Sequence, residues 1–299
     1  MAAQQASDRA PSAADQKLFP GFRPARLRTA DDVEIAFLVG GSGPPLLLLH
    51  GHPQTHVIWH RVALTLARSF TVVIADLRGY GDSSKPPGAA DHVNYAKRAM
   101  AADMIAVMAG LGFERFDIMA HDRGARVAHR LAMDRPAAVR RLVLLDIAPT
   151  LAMYEQTGED FARAYWHWFF LIQKSPLPER LIEADPAAYV TDLMGGRSSG
   201  LAPFDQRWPS ISDAWLCPDP PTASVRTIAR PPASTSSTTA PIGRPDGGWR
   251  HHCWSCGAPT VWWKGVSTYL PSGAESPTMS AAGPCAAVIT SRRKHPTNC

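Results

Sequence analysis

Between Phe116 and Val127 the chain reads FDIMAHDRGARV. Phe116 to Ala120 is a short apolar run of strand length, and Gly124 to Asp134 carries a helical pattern. Ala120-His121-Asp122-Arg123-Gly124 joins the two. A strand that turns straight into a helix and presents one side chain at the apex needs small residues two before and two after it, because the turn is tight. Ala120 and Gly124 supply both, and Asp122 stands at the apex. A carboxylate in that position implies attack on carbon to form an ester. A helix N-cap aspartate is the plainer reading of the same residue.

The surroundings extend the pattern. Pro45 to His50 (PLLLLH), Thr71 to Ala75 (TVVIA) and Leu142 to Leu145 (LVLL) are short, nearly all-apolar runs, the mark of strands buried on both faces of a parallel sheet. Arg26 to Val39 contains an alternating stretch that reads as one more strand. Helical stretches lie between them at Trp59–Arg68, Tyr95–Leu111 and Gly124–Asp134. The alternation predicts an α/β fold, a doubly wound and mostly parallel sheet over 17–150. Catalytic residues in such sheets sit at the carboxyl ends of strands. After Thr150 the segments Tyr154–Gln173, Glu179–Ala184 and Ala187–Met194 predict a helical cap over 151–207. No internal repeat is visible.

Composition excludes several classes. The chain has 299 residues, 45% hydrophobic and 19% charged, which is globular on average. No apolar run approaches the roughly 18 residues of a membrane span, so no membrane partner is expected. The polar start, residues 1–16, has no apolar stretch of a secretory signal and reads as a disordered arm, which points to the cytoplasm. The net charge is +5 without a basic run, so nucleic acid is not expected as a partner.

Two further motifs follow neighbouring strands in order. His50-Gly51-His52-Pro53 matches H-G-x-P, and Asp76 to Ser83 (DLRGYGDS) matches D-x-R-G-x-G-x-S. With the Asp122 elbow they resemble the α/β-hydrolase family. Within it, His121 to Val127 (HDRGARV) resembles the fluoroacetate (haloacetate) dehalogenases. Phe19-Pro20-Gly21-Phe22, Leu145 to Thr150 (LDIAPT), Tyr165 to Phe169 (YWHWF) and Phe204-Asp205 agree with it, so the resemblance covers about residues 17–207.

That resemblance implies an α/β-hydrolase fold and a set of roles. Asp122 would be the nucleophile and Asp146 the acid that orients a histidine. His167 and Trp168 would hold the leaving halide. Gly51 and His52 would belong to the loop that completes an oxyanion pocket. Chemistry supports Arg123 and Arg126 separately. A halo acid carries a carboxylate beside the carbon under attack, which repels an incoming aspartate. Two arginines three apart on the first helical turn share a face and can clamp that carboxylate. Epoxide hydrolases share the Asp elbow but usually carry Trp where Arg123 stands. The bland readings are two arginines on a solvated helix, a solvated Asp146 and packing aromatics at His167 and Trp168. The implied partner is a small-molecule haloacid, with no cofactor and no metal. A homodimer is left open. An epoxide hydrolase is the alternative enzyme, and an inactive truncated product is the alternative of a different class.

Residues 208–299 do not match the rest. They hold all five cysteines, 13 of the 27 prolines and six of the nine tryptophans, with no Phe and only two Leu. Such a segment has neither the residues nor the period of a core, and is expected to be irregular. The resemblance also calls for a late histidine in G-H, which the tail lacks. Read one base out of register, with only the wobble base free, Val288 to Cys299 becomes G-H-Y-L-A-E-E-A-P-D-E-L. Cys253 to Lys264 becomes L-L-V-L-W-G-A-H-G-V-V-E, and Val225 to Arg230 becomes C-E-D-Y-R-A. All three strings resemble the dehalogenases in order and spacing, so the tail reads as frameshifted. His251-His252-Cys253-x-x-Cys256 looks like half a zinc site, but Cys285 and Cys299 are too widely spaced to complete the tetrahedral set. No disulfide framework is implied.

Overall fold

A computed structural model describes residues 7–8, 13–89, 92–148, 150–195, 249–255 and 285–291. Four parallel strands form the centre of its sheet, in the order β5 (Thr71–Ala75), β4 (Pro45–Leu49), β6 (Phe116–His121), β7 (Val139–Leu145). Antiparallel strands β3 (Glu34–Gly40), β2 (Arg23–Arg28) and β1 (Ser7–Asp8) extend the β5 edge. This is the α/β-hydrolase arrangement: a mostly parallel sheet with a helical cap.

The apolar runs are buried on both faces, which is why they lack polar alternation. Leu47, Leu49, Val73 and Ala75 pack with Met104 and Val107 of α3 (Lys97–Gly110) and with Val127 and Leu131 of α4 (Asp122–Asp134). Leu46, Leu48, Val72 and Ile74 pack on the other face with Phe19, Trp59 and Ala63, the last from α2 (His60–Leu66). One strand thus feeds two cores through its period of two. The loop after β5 is tied to α3 by Arg78, which donates through Nε to Asp103 Oδ2 (2.6 Å) and through Nη2 to Asp103 Oδ1 (2.5 Å), both residues fully buried.

The structure departs from the sequence reading in three places. The single strand expected over Arg26–Val39 is a hairpin, β2 and β3. Asp32 takes φ 59° and the Thr29 N–H donates to the Val33 carbonyl (2.8 Å), so Thr29–Val33 is a turn. The long helix expected over Tyr154–Gln173 is three short ones: α5 (Thr150–Glu155), α6 (Glu159–Ala164) and α7 (Trp166–Leu171). Gly158 is extended (φ −129°) and Tyr165 leaves the helical region, and these two residues break it. α8 (Leu177–Ala184) and α9 (Pro186–Gly195) complete the described part of the cap. The arm expected to be disordered carries β1 and α1 (Ala13–Leu18), because Phe19 at its end is buried and Asp15 finds a partner in the half-buried His56.

In the tail, expected to be irregular, two segments are extended and paired. β9 (Cys285–Ser291) lies antiparallel to β7, and β8 (Trp249–Ser255) lies antiparallel to β9. The run from Ala286 to Thr290 (AAVIT) has the β-branched content that suits an open sheet edge. Residues 196–248, 256–284 and 292–299 lie outside the described residues, as do the Phe204-Asp205 motif and Cys256 of the half zinc site.

Candidate active site

The elbow is built as its residues require. β6 ends at His121, and Asp122 takes φ 46°, a left-handed conformation that a side chain other than glycine adopts only at some cost. Two glycines make room for it. A Cβ on Gly124 would stand 2.4 Å from the His50 carbonyl oxygen, which accepts the Gly124 N–H at 2.9 Å. A Cβ on Gly51 would stand 2.5 Å from the Asp122 Cβ. The turn and the His50-Gly51-His52 loop therefore close on each other.

Both carboxylate oxygens of Asp122 are engaged. Oδ1 accepts the His52 backbone N–H (2.9 Å), and Oδ2 accepts Arg126 Nη1 (3.0 Å). Burial pushes the acid up. The Arg126 guanidinium, His121, the His52 N–H and Arg123 outweigh it and hold the carboxyl well below its ordinary range. Asp122 is an anion at neutral pH.

Arg123 and Arg126 are both buried. Arg123 lies over the Tyr80 ring (5.8 Å), and Arg126 lies over the Trp168 ring (4.7 Å) with Nη2 3.2 Å from the Met153 sulfur. Arg123 Nη1 and Arg126 Nε are buried and make no hydrogen bond among the described residues. Buried guanidinium donors without acceptors are costly, and a bound carboxylate would satisfy them.

Trp168 and His167 are buried on α7. Trp168 reaches Arg126 and packs against Tyr154 (5.4 Å), while the His167 ring lies beside Tyr165 and Trp166. Asp146 follows β7 in step with Asp122: His121 pairs Leu145 in the parallel register, and Asp146 also has positive φ (51°). Its side chain is exposed and hydrogen-bonds no histidine among the described residues.

Several contributors escaped the sequence reading. Tyr80 sits beneath Arg123, and its hydroxyl lies 3.1 Å from His52 Nδ1; its place in DLRGYGDS, at a strand's carboxyl end, was the available signal. Gln54 Oε1 accepts the Gly51 N–H (3.1 Å) and faces His121 Nδ1 (3.0 Å), bracing the loop against the elbow. Tyr189 of α9 is buried within reach of Tyr80 and Arg123, and burial raises its phenol above the usual range. Burial, with Arg123 and Arg126 nearby, pushes the Lys97 amine down to about 7 against the pull of Asp122. His50 is buried and neutral, pushed down to about 4 by burial. Its Nδ1–H donates to the Gly51 carbonyl (2.8 Å) and its Nε2 accepts the Leu77 N–H (3.1 Å). Among the described residues no group of three His, Cys, Asp or Glu side chains is placed to hold a metal ion, and no helix is long and apolar enough to cross a membrane.

A half-buried anion at a strand–helix elbow, with a backbone donor from the neighbouring strand's loop, defines the class. The chain belongs to the alpha/beta hydrolase fold family, whose profile matches residues 44–199. It is 53% identical over 189 residues to a fluoroacetate dehalogenase of Burkholderia sp, an alignment covering 63% of this chain and 62% of that one. It is 43% identical over 125 residues to the soluble epoxide hydrolase of Corynebacterium sp. (strain C12), covering 42% and 41%. The chain thus spans less than two thirds of either curated relative. A crystal structure from Salmonella enterica, described as a candidate acyltransferase, superposes with a TM-score of 0.70 at 41% identity, covering 74% of this chain and 73% of that one.

Proposed function

We propose that this protein is of the haloacetate dehalogenase lineage, a hydrolase acting on carbon–halide bonds through an aspartyl ester. The observation that carries the reading is the pair of buried guanidiniums beside Asp122, whose free donors suit a second carboxylate. An epoxide has no carboxylate to fill them, which sets the epoxide hydrolase reading second.

In the first step an Asp122 oxygen attacks the halogen-bearing carbon. The carbon–halogen bond breaks, the halide leaves with the electron pair, and an ester forms. Arg123 and Arg126 hold the substrate carboxylate, offsetting its repulsion by Asp122. Trp168 and His167 close the cap side, where the halide departs. In the second step water adds to the ester carbonyl carbon, and the His52 N–H stabilises the charge on Oδ1. A base must take the water's proton. By the resemblance Asp146 would orient one, but the late histidine that the resemblance calls for is not in the chain as written.

The shifted reading of the tail restores that histidine and accounts for the cysteines. β8 and β9 pair with the sheet and weigh against it. The nucleotide sequence between the codons for Phe204 and Val225 decides between them. The non-enzymatic alternative, a broken product that does not react, is separated by experiment. Incubation with bromoacetate, followed by intact mass spectrometry and peptide mapping, is expected to place one carboxymethyl ester on Asp122. Asp122→Asn should remove it and exclude alkylation of the cysteines. No adduct, or an adduct on cysteine alone, refutes the reading; sustained bromide release would show that another group supplies the base. The remaining expectations stand as part of this proposal: a cytoplasmic protein acting on a small haloacid, without nucleic acid, membrane or cofactor, and with homodimerisation open.

A further inference from the structure

His56 opens a short 3-10 turn, His56–Trp59, shortly after His52. Its Nδ1 lies 2.9 Å from Asp76 Oδ2, and its Nε2 lies 3.0 Å from Asp15 Oδ1. Both neighbours are carboxylates, so both ring nitrogens donate and the ring is an imidazolium. Burial opposes that charge, but Asp76 and Asp15 raise the ring to about 10. Asp76 also accepts the backbone N–H groups of His56 (Oδ1, 2.7 Å) and Asp82 (Oδ2, 3.0 Å). The loop of residues 50–56 is thus pinned at both ends: His50 accepts the Leu77 N–H, and His56 is bound to Asp76. Its middle supplies the His52 N–H to Asp122. Asp15 comes from α1, ahead of the residues 44–199 that match the family profile. The other charged or titratable groups around His56 are Asp82, Arg26 of β2 and the neutral His50.

We propose that Asp15 is a positioning residue: by holding His56 as a cation against Asp76, it fixes the loop that aims the His52 N–H at the nucleophile. The inference rests on reading Asp122 as the nucleophile, and its test has a part that does not. Replacing Asp15 by Asn leaves an oxygen to accept from Nε2 but removes a charge, so the half-buried imidazolium loses one of its two counter-ions. The ring then discharges at lower pH. A neutral ring loses its charge attraction to Asp76, and the loop end is held less firmly, by the His56 backbone N–H.

The experiment follows the His56 ring and the His52 amide of the full chain by NMR from pH 6 upward. In parallel it measures the rate of Asp122 esterification by bromoacetate. In the unmodified chain the His52 amide should shift together with His56 near pH 10, and the ester rate should be flat below that. In Asp15→Asn the His56 midpoint should fall by at least about one pH unit. The ester rate should then drop by about threefold or more as pH passes the new midpoint. Asp15→Glu should restore the profile, and the titration of the unmodified chain needs no variant at all. Unchanged His56 titration in Asp15→Asn overturns the proposal, as does a His52 amide that ignores His56 charge in every chain. If no ester forms at any pH, the reading of Asp122 fails, and the two resonances still decide the role of Asp15.

Discussion

Gly124→Ala is the most direct test of the elbow. The added Cβ would stand 2.4 Å from the His50 carbonyl oxygen and 2.7 Å from the Leu49 Cβ. Normal contact needs the helix to retreat from β4 by about 1 Å, because neither neighbour is a flexible side chain end. His50 cannot swing aside, since its ring is tied to the Leu77 N–H and the Gly51 carbonyl. Overpacking of this kind costs about 1–3 kcal/mol. Alanine's better helix propensity returns up to about 1 kcal/mol. The net loss, about 1–2 kcal/mol, corresponds to a Tm lowered by roughly 2–8 °C in a domain of this size. Asp122 moves with the helix, so ester formation with bromoacetate should fall by about tenfold or more. Gly112→Ala is the matched control: its φ is 80° with nothing within 4 Å of the added Cβ, so it bears only backbone strain far from the site. It should lower Tm modestly and leave ester formation intact. A Gly124→Ala protein with unchanged Tm and ester rate would refute the packing argument.

Three further outcomes are expected. Arg78→Met should destabilise by about 3–5 kcal/mol in chemical denaturation, because Asp103 is left as an uncompensated buried charge; Arg78→Met with Asp103→Leu should recover much of it. His50 is neutral in the fold with its pKa lowered to about 4, so the unfolded chain binds more protons between about pH 4 and 6.5. Its contribution to stability is therefore complete above about 6.5 and lost as pH falls towards 4, and His50→Gln should show a flatter urea midpoint across that window. Arg126→Gln should slow esterification by bromoacetate by about tenfold or more, with a smaller loss for neutral bromoacetamide; equal losses for both would show that Arg126 does not meet the substrate carboxylate.

The central sheet was legible because Leu46 to Leu49, Val72 to Ala75 and Phe116 to Ala120 are buried on both faces and carry no competing pattern. The elbow was legible because its steric demand falls on Ala120 and Gly124, adjacent in sequence to Asp122. The Thr29–Val33 turn was not: it runs straight into the alternating Val33–Val39 stretch and merges with it as one strand, and the left-handed Asp32 and the Thr29–Val33 hydrogen bond reveal it. The breaks in the cap were hidden for a similar reason, since aromatic residues on both sides of Gly158 keep the helical period. Asp15 and His56 were missed because their partnership joins α1 to a loop 41 positions on, and no local pattern encodes a contact of that kind. Tyr80, Tyr154 and Tyr189 converge from three elements, and each alone looks like a packing residue.

Arg126 binds the two halves of the molecule to one charge. Its guanidinium faces the anionic Asp122 from the core side, while Trp168 and Met153 of the cap rest on it. A cation held by an anion stays ordered and offers the cap a fixed platform; esterification of Asp122 removes that anion. The cap is therefore fastened by the same negative charge that the proposed reaction would consume. By linkage, whatever seats Trp168 on the guanidinium also favours the ionised carboxylate, and consuming the carboxylate loosens the seat. In the proposed reaction the seat would loosen while the ester stands and tighten again once hydrolysis returns the carboxylate, and the indole emission of Trp168 would record both changes.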